Sequence, residues 1–192
     1  MTNNSTKTRS EYASKFALLG FENVDEGDIN TSASAAAEYC VDNKYTTVFV
    51  LGEPGLHQEL RNHGITVVVD ESNEYIDQKT FNEIYLDPDV QAVVIGWYQH
   101  FNYRKMCVGS LYLQHGAKLV ATNPDNNIQN GNFKMPANGC ALSSLERSVD
   151  DIGGKKTHIA GKPNPDFLFK LLKKYSFEPE RTVCNPCLIC GI

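Results

Sequence analysis

The sequence predicts an α/β fold with a mostly parallel sheet, because strand-like and helix-like stretches alternate along its 192 residues. Short runs of β-branched and apolar residues are typical of buried strands, and stretches with apolar residues at helical spacing lie between them. Strands that alternate with helices pair in parallel, since each helix carries the chain back across the sheet. The strands are predicted at 46–51, 65–69, 91–95 and 118–121, and the intervening helices at 56–62, 103–114 and within 136–149.

Two helices are predicted before the first of these strands. One covers residues 6–19, and the other is capped by Thr31 or Ser32 and runs to Tyr39. The polar stretch 70–89 is predicted to be a loop with one helical turn at most.

Composition narrows the class of protein. An apolar share of 41% and a charged share of 21% are ordinary for a globular domain. The net charge of −5 argues against nucleic-acid and anionic-membrane partners, which require a basic surface. No apolar run approaches the roughly 20 residues that cross a bilayer, and the first residues lack the apolar core of a signal peptide. A cytoplasmic location is therefore expected, with no membrane and no nucleic acid as partners.

The six cysteines divide into two groups. Three are scattered among apolar neighbours and are predicted to be reduced core residues: Cys40, Cys107 and Cys140. Three stand at C-x-x-C spacing near the last residue: Cys184, Cys187 and Cys190. A structural zinc site needs four ligands, and no histidine is near this second group, so zinc is not expected.

A single lysine marks the predicted end of a last strand. Residues 158–160 read as the strand, Gly161 breaks it, and Lys162 precedes Pro163 and Pro165, which begin a helix. The ammonium group is thereby predicted at the carboxyl edge of the sheet beside a helix N-terminus, where open α/β folds bind anions. A solvated lysine in a strand–helix turn is the alternative.

A second polar group lies at the other end of the sequence. Thr2, Asn3 and Asn4 directly precede the first predicted helix, and hydroxyl and amide groups beside free helix N–H groups can cradle a phosphate. An ordinary helix cap explains the same residues. Pairing of this segment with Lys162 favours the phosphate site.

Seven strings in order carry a resemblance to a known family. They are T-N-N-S-T-K-T-R at 2–9, S-A-S-A-A-A-E-Y at 32–39, V-F-V-L-G-E-P-G-L at 48–56, V-V-I-G-W-Y-Q-H-F-N-Y at 93–103, A-T-N-P-D-N at 121–126, G-K-P-N-P at 161–165 and E-P-E-R-T-V at 178–183. With these strings the sequence resembles the haloacid-dehalogenase superfamily phosphatases with a C2-type cap. This branch contains phosphoglycolate, 4-nitrophenyl and pyridoxal phosphatases.

The resemblance implies an incomplete Rossmann-like core with a large α/β C2-type cap. Core fragments are expected at 1–40 and 158–192, and the cap at 41–157. Thr2 matches the residue that binds the transferring phosphoryl group, with Asn3 and Asn4 beside it. Lys162 matches the catalytic lysine, whose ammonium neutralises charge on the phosphate.

The resemblance also implies a substrate-facing surface on the cap. Tyr98 and Phe101 belong to one loop that faces the site in such enzymes, and Asn123 and Asp125 belong to another. The implied substrate is a small phosphorylated metabolite. Because members of the family often dimerise through their caps, a homodimer is implied as well.

Two family motifs have no counterpart here. The nucleophilic aspartate of D-x-D lies upstream of T-N-N in the family, and the acidic pair that holds Mg²⁺ follows E-R-T-V, where this sequence has C-N-P-C-L-I-C-G-I. Asp125 and Asp166 are the nearest carboxylates, and neither is expected to replace the nucleophile. Complete members use Mg²⁺ and an aspartyl phosphate, so this chain is expected to bind no metal and to be inactive as given.

Three hypotheses remain open at this point. The first is a fragment of a phosphatase that hydrolyses small phosphate monoesters. The second is a non-catalytic protein that pairs through its cap with a full-length relative. The third is a phosphate-binding module that uses Thr2, Asn3 and Lys162.

Overall fold

A five-stranded parallel sheet forms the centre of the computed structural model, which describes residues 1–152 and 156–182. Its strands are β1 (Thr47–Leu51), β2 (Thr66–Val68), β3 (Ala92–Ile95), β4 (Lys118–Ala121) and β7 (His158–Ile159). Their spatial order is β2-β1-β3-β4-β7. A separate antiparallel hairpin consists of β5 (Asn127–Asn130) and β6 (Phe133–Pro136).

Seven α-helices accompany these strands in the described residues. They are α1 (Arg9–Leu18), α2 (Ser32–Asp42), α3 (Pro54–Asn62), α4 (Gln78–Asn82), α5 (Tyr103–Gln114), α6 (Asn138–Val149) and α7 (Pro165–Tyr175). Three short 3-10 turns cover Glu26–Asp28, Asp150–Ile152 and Pro179–Arg181.

The sheet is buried on both faces by two layers of helices. On β1, Val48 and Val50 pack with α2, α3 and α7, whereas Phe49 and Leu51 pack with α5 and α6. Successive side chains of a strand point to opposite faces, so the five apolar residues of β1 contribute to both layers. A strand covered on both sides reads as a continuous apolar run, which is why β1 was predictable from sequence.

The predicted parallel α/β architecture is confirmed, and most elements lie within a few residues of their predicted bounds. The second helix begins as predicted, because the Thr31 hydroxyl caps it by accepting the N–H of Ser34. The first helix starts three residues later than predicted. Thr8 and Glu11 form a capping box there, in which the Thr8 N–H donates to the Glu11 carboxylate at 2.7 Å.

The β5–β6 hairpin was missed by sequence analysis. All eight residues of its two strands are exposed, so they lack the apolar alternation that indicates a half-buried strand. The available signal was Asn130-Gly131, since Gly131 has a φ of 60° at the first position of a two-residue loop. A positive φ at that position is what a type II′ hairpin turn requires.

The sheet continues across the predicted boundary between cap and core. β7 lies in the predicted fragment 158–192, yet it pairs in parallel with β4, matching Val120 to His158 and Ala121 to Ile159. Helices α2 and α7, from the two predicted core fragments, pack on the same layer of the sheet. The division into cap and core therefore stays a prediction.

Cys40 and Cys107 are buried and free, as predicted. The prediction for Cys140 was wrong: this residue is exposed on α6, where its thiol lies 3.2 Å from the backbone oxygen of Asn126. The second group, Cys184, Cys187 and Cys190, lies outside the described residues. Among the helices that the structure describes, none is long and apolar enough to cross a membrane.

The Arg9–Glu59 ion pair ties the beginning of α1 to α3. The Arg9 guanidinium lies 3.2 Å from the Glu59 carboxylate, whose side chain is only 1% exposed. We expect Arg9→Ala to lower the free energy of unfolding by about 2 kcal/mol, because it leaves a buried carboxylate with one fewer partner. Urea denaturation measures this. Arg147→Ala is the control, since its pair with Asp150 is exposed and should change stability by less than about 0.5 kcal/mol; equal effects would contradict the prediction.

Candidate functional site

The segment Thr2–Thr6 lies across the carboxyl ends of the parallel strands. Its backbone is held like a short strand, since the Thr2 N–H donates to Asn30 at 3.0 Å and the Ser32 N–H donates to Thr2 at 2.9 Å. The backbone oxygen of Asn3 accepts further hydrogen bonds from the Ser32 hydroxyl at 2.6 Å and from the Asn123 amide at 2.8 Å. Segments before α2 and after β4 thus fix the position of Asn3.

Two glycines make room for this segment. Gly96 follows β3, and a Cβ atom there would lie 2.7 Å from the Ser5 hydroxyl oxygen. Gly161 follows β7, and its Cβ would lie 2.6 Å from the Thr122 carbonyl oxygen and 2.7 Å from Oδ1 of Asn3. A Cβ atom cannot approach another non-bonded atom this closely, so glycine at both positions lets the segment reach the edge of the sheet.

Asn3 joins the N-terminal segment to the predicted lysine. The Lys162 N–H donates to Oδ1 of Asn3 at 2.8 Å, and Nδ2 of Asn3 donates to the Lys162 carbonyl at 3.1 Å. One side-chain amide therefore pairs with both backbone polar groups of one residue. The two motifs that the sequence analysis paired, 159 positions apart, are in direct contact.

The loop after β4 completes the group. Nδ2 of Asn3 also lies 3.2 Å from the Asp125 carboxylate, and the Asp125 N–H donates to Oδ1 of Asn123 at 3.1 Å. Asn138, at the start of α6, donates to the Asn123 carbonyl at 2.6 Å and is fully buried. Asn138 was missed as a site residue, because no local pattern distinguishes it from an ordinary helix-start residue.

Thr2 and Asn4 form the exposed part of the segment. The Asn4 N–H donates to the Thr2 hydroxyl at 3.2 Å. Oδ1 of Asn4 accepts from both the N–H and the hydroxyl of Thr6 at 2.8 Å, which closes a tight turn. We call Thr2, Asn3 and Asn4 the cradle.

A cavity of about 450 Å³ opens beside the cradle. Trp97 and the hairpin residues Ile128 and Met135 supply apolar walls, while Lys15 and Asp125 are the charged residues in the described lining. Tyr12 of α1 also lines it; burial raises the pKa of this phenol, and a hydrogen bond with Thr2 partly offsets the rise. Sequence analysis missed Tyr12 and Lys15 as cavity residues, since their helix was not expected to reach the site.

Not every predicted site residue lies at the cavity. Lys162 meets the cradle through its backbone, and its half-buried side chain does not line the cavity. Tyr98 and Phe101 do not line it either; they are half-buried against the α5 layer of the core. Trp97 occupies the cavity wall, and the next side chain of an extended segment points the opposite way, which accounts for Tyr98. Burial raises the pKa of Tyr98, and the charges of Glu53 and Asp70 add to this rise.

The residues at the cradle do not fit a magnesium ion. Mg²⁺ requires oxygen ligands in octahedral geometry, usually with one or two carboxylates. Asp125 is the acidic residue in the described lining of the cavity, and the described ranges contain no group of three or more His, Cys, Asp or Glu side chains that could hold a metal. Residues 153–155 and 183–192, which lie outside the description, contain no aspartate or glutamate in their sequence.

The close approach at Gly161 gives a test of the site. We expect Gly161→Ala to lower the free energy of unfolding by about 1–3 kcal/mol, because the added methyl group displaces Asn3 or the Thr122 carbonyl. Urea denaturation measures the change. Gly27→Ala is the matched control, since no atom lies within 4 Å of its Cβ position. A Gly161→Ala protein as stable as the control would rule out this packing.

The sequence matches one family model and several individual proteins of known activity. A family model described as haloacid dehalogenase-like hydrolase matches residues 1–66. Glycerol-3-phosphate phosphatase of Homo sapiens is 34% identical over 200 residues, covering 95% of this chain and 60% of the relative. Phosphoglycolate phosphatase 2 of Arabidopsis thaliana is 31% identical over 193 residues, covering 94% and 62%. The chain thus spans about 60% of the length of these relatives.

Solved structures share the fold and bear out the resemblance. The 4-nitrophenylphosphatase of Thermotoga maritima superposes with a TM-score of 0.74 at 27% identity, covering 94% of this chain and 61% of that one. A glycerol phosphate phosphatase of Mycobacterium tuberculosis in complex with magnesium shares the fold with a TM-score of 0.72 at 24% identity, covering 92% and 48%. These matches extend along almost all of the sequence, so they support the resemblance to the haloacid dehalogenase-like hydrolases, and the relatives that they identify are phosphatases.

Proposed function

We propose that this chain forms the phosphate-binding part of a phosphatase that acts on small phosphate monoesters. The observation that carries the proposal is the contact between the cradle and Lys162, made by the two hydrogen bonds of Asn3. A hydroxyl, a tight turn with backbone N–H groups, and an ammonium-bearing residue meet there beside an open cavity. These are the groups that bind phosphoryl oxygens.

The chemistry of phosphoryl transfer explains what such a site can do. The protein contributes mainly by positioning the phosphoryl group and stabilising its charge. The Thr2 hydroxyl would donate to a phosphoryl oxygen, and the Lys162 ammonium would neutralise its charge. Hydrolysis in addition needs an attacking group and, in this family, a divalent metal. Asp125 already accepts from Asn3, and the described carboxylates form no metal-binding group.

The cavity is suited to the organic part of the ester. Its volume of about 450 Å³ accommodates a small molecule, and it combines apolar walls from Trp97, Ile128 and Met135 with the charges of Lys15 and Asp125. Phosphoglycolate, glycerol phosphate and 4-nitrophenyl phosphate, named after the relatives, are the substrates to test first.

Phosphate binding tests the proposal directly. We expect inorganic phosphate to bind the chain in a calorimetric titration, and Thr2→Val and Lys162→Ala each to weaken binding by about tenfold, the loss of one charge-assisted contact. Lys170→Ala is the matched lysine control, because Lys170 pairs with Asp42 of α2 and not with the cradle. Absence of phosphate binding in the unmodified chain would refute the proposed function.

Hydrolysis provides a second test. We expect no magnesium-dependent release of 4-nitrophenol from 4-nitrophenyl phosphate by this chain, because the carboxylates that would attack phosphorus and hold the metal are not gathered at the cradle. Absorbance at saturating substrate measures the rate, with a complete relative as the positive control. Turnover that disappears in Lys162→Ala would show hydrolysis at this site and contradict the expectation.

A further inference from the structure

We infer that the Asn3 side chain is a positioning group that holds Lys162 and Asp125 beside the phosphate site, and that this side chain does not contact the phosphate itself. This inference rests on the proposed function and revises the role implied for Asn3 by the resemblance. It concerns a side chain that lies between the cradle and the two loops that follow β4 and β7.

The hydrogen-bonding capacity of the Asn3 side chain is already used. Its amide nitrogen has two hydrogens, and these are directed to the Lys162 carbonyl at 3.1 Å and to the Asp125 carboxylate at 3.2 Å. Its oxygen accepts the Lys162 N–H at 2.8 Å. The residue is only 5% exposed. A phosphate oxygen would need a side-chain donor that Asn3 no longer has available.

The hydrogen bonds between the Asn3 side chain and the Lys162 backbone fix the position of the backbone from which the lysine side chain extends. Both polar groups of its backbone are held by one amide, and the preceding Gly161 leaves no room for a Cβ atom, which would lie 2.7 Å from the same amide oxygen. An ammonium group that starts from a fixed backbone loses less conformational entropy when it meets an anion. Asn3 therefore raises phosphate affinity without touching the ligand.

The second N–H of the Asn3 side-chain amide donates to the negatively charged carboxylate of Asp125. Asp125 is half-buried beside the cradle, and its carboxylate repels a phosphate that approaches. Donation from Nδ2 of Asn3 partly offsets the charge of this carboxylate and holds the carboxylate beside the amide. Removal of the amide leaves the full charge free to face the cradle.

Asn4 provides a natural comparison within the same motif. It is exposed, and its amide oxygen accepts from Thr6 in a local turn. Its hydrogen bonds in the described part of the chain join it to Thr2 and Thr6, and none of them involves Lys162 or Asp125. A substitution of Asn4 therefore alters the cradle locally without releasing the lysine.

A double-mutant cycle separates positioning from direct contact. Phosphate affinity is measured by calorimetry for the unmodified chain, Asn3→Ala, Lys162→Met and the double variant, with Lys170→Ala as the affinity control and Asn4→Ala as the control for hydrogen exchange. We expect Asn3→Ala to weaken binding by about tenfold, and by threefold or less when Lys162 is already methionine, since residues that act through one another are not additive. Amide hydrogen exchange of Lys162 should be at least about tenfold faster in Asn3→Ala and unchanged in Asn4→Ala.

Each outcome distinguishes between the two proposals. An equal loss of affinity in both backgrounds would show direct contact with phosphate and overturn the inference, while leaving the proposed function intact. Unchanged exchange of the Lys162 amide in Asn3→Ala would also overturn it. Absence of phosphate binding by the unmodified chain would refute both proposals. If Asn3→Ala fails to fold, Asn3→Asp takes its place: it keeps the acceptor for Lys162, removes both donors, and should weaken phosphate binding more strongly at low salt than at high salt.

Discussion

The hydrogen bonds of the segment Thr2–Thr6 across the carboxyl edge of the sheet are the constraint on which the site depends. The segment fills the space above Gly96 and Gly161, and the Asn3 backbone is held from α2 and from the loop after β4. If this segment lay elsewhere, the cavity would lose one wall. The backbone N–H and carbonyl of Lys162 would also lose the hydrogen bonds that Asn3 makes with them. A five-stranded sheet buried on both faces supplies the rigid support that this arrangement needs.

The buried part of the site consists of neutral polar groups, and the charged side chains Lys15 and Asp125 lie at the cavity surface. Buried amides and hydroxyls of Asn3, Ser32 and Asn123 bond to one another or to nearby backbone atoms, and the Asn138 amide nitrogen donates to the Asn123 carbonyl, whereas Oδ1 of Asn138 is buried without a hydrogen-bond partner among the described residues. Neutral hydrogen-bonded groups cost much less to bury than ions do, so the site can be dry without a large penalty in stability. The charged residues Lys15 and Asp125 instead line the cavity, where they are accessible to a ligand.

Sequence patterns predicted the sheet well because burial on both faces leaves long apolar runs. β1 is an example, since all five of its residues are buried. Local chemistry also placed the start of α2 at the Thr31 cap. The same reasoning failed where tertiary contacts are sparse. In α1 no residue is buried, and Leu19, which directly follows it, is 62% exposed. The exposed hairpin has no apolar alternation either.

The site was only partly predictable, for a different reason. The predicted end of the last strand located Lys162 at the edge of the sheet. Its contact with Asn3 depends on tertiary structure. That contact was expected only because the two motifs were paired and because the family resemblance implied it. Tyr98 and Trp97 show the limit of transferring a motif by position, because adjacent side chains after β3 face opposite ways. Asn138 carried no signal that a single sequence could reveal.

The distance in sequence between Asn3 and Lys162 has a consequence for how the protein matures. A contact that spans 159 positions closes a very large loop, and such contacts form late because the entropy of loop closure must be overcome first. The strands between them pair at smaller separations in sequence, such as the 44 positions between Val48 and Ala92, so their loops cost less entropy to close. Ligand recognition is thus acquired at the last stage of folding, so recovery of phosphate affinity after dilution from denaturant would report completion of the native state more faithfully than recovery of helical circular dichroism.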